Sequence, residues 1–174
     1  YQCQETAMGT GCTLKGVCGK TSEVANLQDL LLFVVRGIAV YNEHLRKDGH
    51  PSEQADKFIY DALFITITNA NFDDEALKMR IAEALATKNR LIGTAEKRGI
   101  ALSDMPEVKF HPAPSEYEAE AAKVGVLSMR DEDIRSLKQL IIYGVKGAAA
   151  YAEHALNLGH EDPSLYEMLE NALA

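Results

Sequence analysis

The sequence has 174 residues, of which 47% are hydrophobic and 25% are charged, so it can bury one sizeable core or two small subdomains. Its 26 acidic and 18 basic residues give a net charge of −8, which argues against nucleic acid and anionic membrane surfaces as partners. No signal peptide is visible, and Arg36 and Lys146 interrupt the longest apolar runs, so we expect a cytoplasmic protein without a membrane span.

Residues 1–25 are predicted to form an irregular loop that carries all three cysteines, Cys3, Cys12 and Cys18, in a C-x8-C-x5-C spacing. An odd number of thiols at one end of a chain argues against a disulfide framework and for a reducing cytosol. The same stretch is rich in glycine, which lets the backbone bend and lets amide groups approach sulfur atoms. Thiolates on such a loop are typical ligands of a metal or iron–sulfur centre.

Three thiolates leave the kind of centre open. A [4Fe–4S] cluster takes four, so a further cysteine is expected immediately before Tyr1, giving C-x2-C-x8-C-x5-C. The alternatives are a zinc site with three thiolates and a water or histidine, or free thiols on a cofactor-free helical fragment. Lys15 and Lys20 flank Cys12 and Cys18. We expect them to be solvated, and the alternative is that they offset cluster charge or dock an electron donor.

Residues 26–99 are predicted to form a three-helix bundle, because apolar residues recur there at helical spacing. The helices are expected from about Asn26 to Lys47, from near Ser52 through the β-branched run 64–68, and from Asn71 to about Lys97. Asn26 is the expected N-cap of the first helix, and Gly49 and Gly99 are expected to end the first and third.

Residues 100–114 contain three prolines and are predicted to be a linker. A second, incomplete bundle is predicted for residues 115–174. Its helices are expected from Ser115 to Lys123, from about Asp131 to Leu158 with Gly159 ending the helix, and from the cap Asp162-Pro163 onward. His44 and His154 lie near the ends of the two long helices, where we expect them to interact with the helix dipole rather than to bind metal.

An internal repeat relates the two halves. With a shift of 110 residues, Leu27–His50 aligns with Leu137–His160, and 10 of the 24 positions are identical. We therefore predict an all-α protein of two related helical bundles, the second truncated. Gly37 and Gly147 recur in the middle of the long helices, which indicates close approach between helices.

The truncated second bundle is expected to leave apolar residues of its long helix uncovered. The helix containing Ile141, Ile142, Val145 and Ala149 would lack part of its packing, so we predict an exposed apolar patch and possible self-association through it.

Several sequence blocks resemble the hybrid-cluster (prismane) protein family, whose members begin Met-Phe-Cys-x-x-Cys-Gln-Glu-Thr. The matching blocks are Cys3-Gln4-Glu5-Thr6, Lys15-Gly16-Val17-Cys18-Gly19-Lys20-Thr21, Asn26-Leu27-Gln28-Asp29-Leu30-Leu31, Thr66-Ile67-Thr68-Asn69-Ala70-Asn71 and Lys146-Gly147-Ala148-Ala149-Ala150-Tyr151. The resemblance extends over essentially the whole chain, but family members are much longer.

The resemblance implies an iron–sulfur oxidoreductase that reduces hydroxylamine to ammonia and water, or reduces nitric oxide. Cys3, Cys12 and Cys18 would be the remaining ligands of a [4Fe–4S] cluster rather than a [2Fe–2S] cluster, and would relay electrons from a donor protein. The hybrid Fe–S–O cluster, where substrate reacts, takes its ligands from later domains. The chain would therefore be an amino-terminal domain that is inactive by itself.

Overall fold

The computed structural model describes residues 12–13, 15–67, 70–101 and 104–174, and every regular element within these ranges is a helix. The α-helices are α1 (Ser22–Lys47), α2 (Glu53–Ile65), α3 (Asp74–Lys97), α4 (Pro106–Lys109), α5 (Tyr117–Val124), α6 (Glu132–Asn157) and α7 (Pro163–Leu173). Short 3₁₀ turns occupy Pro114–Glu116 and Val126–Ser128. The predicted all-α class is confirmed.

Side-chain caps explain where most of the longer helices begin. Ser52, Asp73, Asp131 and Asp162 each accept a hydrogen bond from a backbone N–H in the first turn of the helix that follows. The prediction was wrong for α1, because Thr21 rather than Asn26 is its N-cap. Helix α1 thus begins inside the predicted loop 1–25.

Glycines end the long helices as predicted. Gly49, Gly99 and Gly159 follow α1, α3 and α6 with φ angles of 81°, 68° and 82°. This left-handed conformation is costly for residues with a Cβ atom, so glycine is favoured at these positions. In the β-branched run 64–68, predicted to be helical, Phe64 and Ile65 belong to α2 and Thr66 is its C-cap, whereas Thr68 lies outside the described residues.

Helix α1 is the centre of the fold. It packs against α2, α3, α4, α5 and α7, while α6 packs against α2 and α7. Among the described helices, α1 is long and apolar enough to cross a bilayer by length and composition, but 78% of its apolar window is buried within the fold. Packing on five neighbours accounts for its hydrophobic composition.

The predicted repeat reappears in the bounds of the helices. Adding 110 to the bounds of α1 (22 and 47) gives 132 and 157, which are the bounds of α6, and the first residue of α2 maps onto the first residue of α7. Helix α1 packs on α7 and α6 packs on α2, so each long helix contacts the second helix of the other repeat. One hydrophobic cluster includes residues from both repeats.

The stretch 100–114, predicted as a linker, contains α4, which packs against α1 and buries Val108. The division of the chain at residues 25, 99 and 114 stays a prediction.

Candidate functional site

The cysteines lie before the first turn of α1. Cys12 is buried, Cys18 is exposed, and no disulfide bond joins them. Cys3 lies outside the described residues. Within the described ranges no three histidine, cysteine or acidic side chains gather as a metal site would require. The ligand set Cys3, Cys12 and Cys18 therefore stays a prediction.

A tight turn holds Cys18 against open backbone. The Gly19 N–H donates to Gly16 O (2.9 Å), the Gly16 N–H donates to Lys20 O (3.0 Å), and Gly19 has a φ of 95°. A Cβ atom at Gly16 would lie 2.8 Å from Cys18 Sγ. Glycine is therefore required at position 16 for the Cys18 thiol to lie this close to the backbone. Thiolate ligands beside backbone without bulky side chains suit an iron–sulfur centre.

Lys20 lies under this turn. It is only 5% exposed, and its Nζ donates to Gln28 Oε1 (2.8 Å), whose Nε2 donates to Asn71 O (3.1 Å). The expectation that Lys20 is solvated was wrong, because its ammonium group is buried against the Gln28 side chain of α1. Lys15 is exposed, as expected.

A second buried lysine comes from α6. Lys146 Nζ donates to Thr66 O (2.9 Å), the carbonyl at the carboxyl end of α2. Burial is the main cause that lowers the pKa of Lys146 to about 8, while the negative charge of Asp29 opposes this shift and the positive charge of Lys20 adds to it. The pKa of Asp29 is raised by burial, although its carboxylate accepts a hydrogen bond from Val126 N (2.8 Å).

The burial of Lys146 was not predicted from the sequence, where this residue was treated only as an interruption of an apolar run. The available signal was the repeat, because Lys146 aligns with Arg36 and both are basic residues within apolar helices. Its burial depends on contact with α2, which lies 80 residues away in the chain.

The two recurring histidines lie in the last turns of α1 and α6, as expected. His44 Nδ1 is 2.8 Å from Val40 O, and the His154 ring packs edge-on against Phe64 with centroids 5.7 Å apart. Neither joins a group of three candidate metal ligands within the described part of the chain.

A buried polar cluster joins α1, α2 and α7. Asn42 Nδ2 donates to Asp56 Oδ1 (2.9 Å) and to Glu170 Oε1 (2.5 Å). Arg46 pairs with the same two carboxylates at 2.6 Å and 2.8 Å. No local sequence pattern could have predicted this cluster, because its members come from three helices.

A groove of about 420 Å³ lies between α1, α5, α6 and α7. Its lining includes Ile141 and Ile142 of α6 and Leu173 of α7. Arg36 lines it as well and forms an ion pair with Glu107 at 2.6 Å.

The model of the prismane/CO dehydrogenase family matches residues 1–174, the full length of the sequence. The chain belongs to this family.

Its prismane-family relatives include three bacterial proteins named hydroxylamine reductase. They come from Bacteroides thetaiotaomicron, Bacteroides fragilis and Thermoanaerobacter pseudethanolicus, with identities of 65%, 57% and 48% over all of this chain. The chain spans about a third of the length of these relatives, 31–32%.

The family membership confirms the resemblance drawn from the cysteine block and the helical blocks. Prismane-family proteins are iron–sulfur proteins, and their reductase members require a source of electrons. These general properties suit the thiols and the glycine-bearing turn before α1.

Proposed function

We propose that this chain is the amino-terminal electron-relay domain of a hydroxylamine or nitric oxide reductase. Cys3, Cys12 and Cys18 hold a [4Fe–4S] cluster, with a further cysteine before Tyr1 as fourth ligand. The hybrid Fe–S–O cluster, where substrate is reduced, belongs to the part of the longer relatives that this chain does not match. The chain by itself is not expected to turn over substrate.

The match of the whole chain to the prismane family carries this proposal, together with the C-x8-C-x5-C spacing. The buried Cys12 thiol, the exposed Cys18 thiol and the close approach of Gly16 to Cys18 Sγ support it. Backbone amides near thiolate sulfurs stabilise an anionic cluster and tune its potential.

When bound, the cluster supplies one-electron transfer. Reduction of hydroxylamine to ammonia and water consumes two electrons and two protons, so a relay must pass electrons singly and twice per turnover. The chain's own residues have three tasks in this proposal. Cys12 provides a buried thiolate, and Cys18 provides one near the surface. Gly16 and Gly19 allow the tight turn that ends at Lys20.

The exposed position of Cys18 places one edge of the site near solvent, where a donor protein has access. We propose that the donor docks there and that the protein works in the reducing cytoplasm. Thiolate clusters of this kind persist in such a compartment, whereas exposed thiols form disulfides in oxidising ones.

Elemental analysis of anaerobically purified protein tests the proposal. About four iron and four sulfide per chain, with broad visible absorbance, are expected once a cysteine is restored before Tyr1. Zinc without sulfide would instead indicate the three-thiolate zinc site. Colourless protein in which every thiol is titratable would leave only a cofactor-free helical fragment.

A further inference from the structure

A small apolar surface lies beside the exposed Cys18. Val17, its neighbour in the chain, is 59% exposed, and Phe72, in the segment before α3, is 43% exposed. Lys20 connects the two, because it ends the turn that contains Val17 and its Nζ lies 5.7 Å from the centroid of the Phe72 ring. This distance is within the range of a cation–π contact. We call Val17, Cys18 and Phe72 the turn surface.

Helix α1 fixes the position of the turn surface. The side chain of Gln28 accepts a hydrogen bond from Lys20 Nζ (2.8 Å) and donates one to Asn71 O (3.1 Å). The turn and the residue that precedes Phe72 are therefore held by the same side chain of α1. A surface that is ordered before a partner arrives costs little conformational entropy on binding.

Acidic side chains adjoin the turn surface in the chain. A thiolate-ligated iron–sulfur centre at Cys18 would add further negative charge, because such a centre is an anion. Positive charge comes from the exposed Lys15 and from Lys78, which is shared among carboxylates of α3 and α5. Electrostatic complementarity therefore favours a basic partner. The adjoining carboxylates, all exposed, are Glu23, Asp73, Asp74 and Glu75.

The size and pattern of the turn surface suit a short-lived complex. Electron-transfer complexes bury less surface than stable ones. Protein interfaces place apolar residues at the centre and polar or charged residues at the rim. Val17 and Phe72 would form such a centre next to Cys18, so a redox group docked there would lie close to the cluster.

We propose that the turn surface is the docking site of a basic one-electron redox protein. Apolar groups of this donor contact Val17 and Phe72, and its lysines or arginines face the adjoining carboxylates. This inference rests on the proposed function, because it requires a centre held by Cys12 and Cys18. One electron leaves the donor, which is oxidised, and enters the centre, which is reduced, and no atom moves with it.

The test uses the cluster-loaded chain with a cysteine before Tyr1, and oxidised cytochrome c as the probe. Cytochrome c is a basic one-electron protein with lysines around its exposed haem edge. It accepts the electron rather than donating it, but it docks through the same charges. Stopped-flow absorbance at low ionic strength gives the second-order rate constant for electron transfer from the reduced cluster.

Two pairs of substitutions separate local charge from net charge. E23Q/E75Q removes two carboxylates beside the turn surface, whereas E53Q/E167Q removes two exposed carboxylates of α2 and α7. Both variants have the same net charge. We expect the rate constant to fall at least about threefold in E23Q/E75Q, and to fall less in E53Q/E167Q, because steering depends on charges close to the contact.

A further pair tests the apolar centre. V17S should lower the rate constant by about fivefold, because interface centres contribute most to binding. L158S is the control, since Leu158 follows α6 and is 78% exposed, and it should match the wild type. F72S takes the place of V17S if V17S does not bind iron and sulfide.

The inference is overturned by equal losses of rate in the two carboxylate pairs, or by a wild-type rate in V17S or its replacement F72S. A faster rate in V17S also overturns it, because that result is expected if a second copy of the chain covers the turn surface. Each of these results, obtained with wild-type iron and sulfide content, leaves the proposed function intact. A wild-type chain that binds no iron and sulfide contradicts both.

Discussion

Asp56 and Glu170 are two buried carboxyl groups that share one guanidinium, that of Arg46. Burial and the neighbouring Glu170 raise the pKa of Asp56 to about 7, although Arg46 lowers it. The folded protein therefore keeps a proton on this pair at pH values where the unfolded chain has lost it. The contribution to stability is complete below the unfolded pKa near 3.8 and is lost as pH rises through about 7.

The variant D56N should remove this pH dependence, because an amide does not titrate. Between pH 4 and 7 the wild type should lose stability relative to D56N by up to about 1 kcal/mol per pH unit. Urea unfolding at a series of pH values measures the difference. E53Q changes an exposed carboxylate on the same helix and should follow the wild type. Parallel curves for D56N and the wild type would show that Asp56 does not hold the proton.

Local patterns predicted some of the site at the residue scale. Cysteine spacing and glycine content are local, so they indicated the candidate ligands and the turn before α1. The burial of Lys20 and Lys146 depends on contacts with segments that are distant in the chain. From the sequence, Lys20 was therefore expected to be solvated, and Lys146 was interpreted only as an interruption of an apolar run. The Asp56–Glu170 pair needs three helices to meet, so no spacing along the chain could indicate it.

Helices α1, α3 and α4 meet at Gly37. A Cβ atom there would lie 2.5 Å from Glu107 O and 2.9 Å from Lys88 Cδ. Lys88 is fully buried, and its Nζ donates to Glu107 O (2.9 Å) and Phe110 O (2.5 Å). Burial lowers the pKa of Lys88 to about 8. The lysine thus ties the end of α4 to α3, and Gly37 gives α4 room to approach α1.

The prediction of close helix approach was wrong for Gly147, the repeat equivalent of Gly37, since a Cβ atom there meets nothing within 4 Å. Gly147 therefore provides a matched control. G37A should lower the free energy of unfolding by about 1–3 kcal/mol, because backbone must move to accept the methyl group. G147A should raise it by about 1 kcal/mol, because alanine is the better helix former. Thermal or urea unfolding compares them. Equal effects of the same sign would mean that α4 does not approach α1 closely.

Sequence analysis was most successful at the element scale. Asp162 was predicted as a cap, because capping depends on a few neighbouring residues, and the helix expected to start near Ser52 has Ser52 as its N-cap. The prediction that Asn26 caps α1 was wrong, because Thr21, about one turn earlier, is the N-cap. Helix α4 was not predicted, because four residues carry too little periodicity and its stability comes from packing on α1 and from Lys88.

At the scale of the molecule, the two repeats differ in what covers their long helices. Leu27, Leu30 and Leu31 of α1 are buried in the core, where α3 is among its neighbours. The equivalent positions Leu137, Leu140 and Ile141 of α6 are 62%, 71% and 50% exposed. The predicted apolar patch is present. Unlike the prediction, the patch does not include Val145 and Ala149, which are buried.

We predict that this face of α6 drives self-association of the isolated chain, since contiguous exposed apolar surface favours burial against a partner. L140E should keep the stability within about 0.5 kcal/mol, because the side chain is exposed, and should reduce the apparent mass at high concentration to that of a monomer. Sedimentation equilibrium measures the mass. S136E adds the same charge at another exposed position of α6. Identical behaviour of the two variants would contradict the prediction.

We propose that the thiols of Cys3, Cys12 and Cys18 jointly hold an iron–sulfur centre. The most direct measurement is the iron and acid-labile sulfide content of anaerobically purified C3S, C12S and C18S, compared with the parent protein carrying a cysteine before Tyr1. We expect about four iron and four sulfide per parent chain and a large loss of both in every variant. The helix content, measured by circular dichroism, should be unchanged. Full iron and sulfide in any one variant would contradict the assignment of that thiol as a ligand.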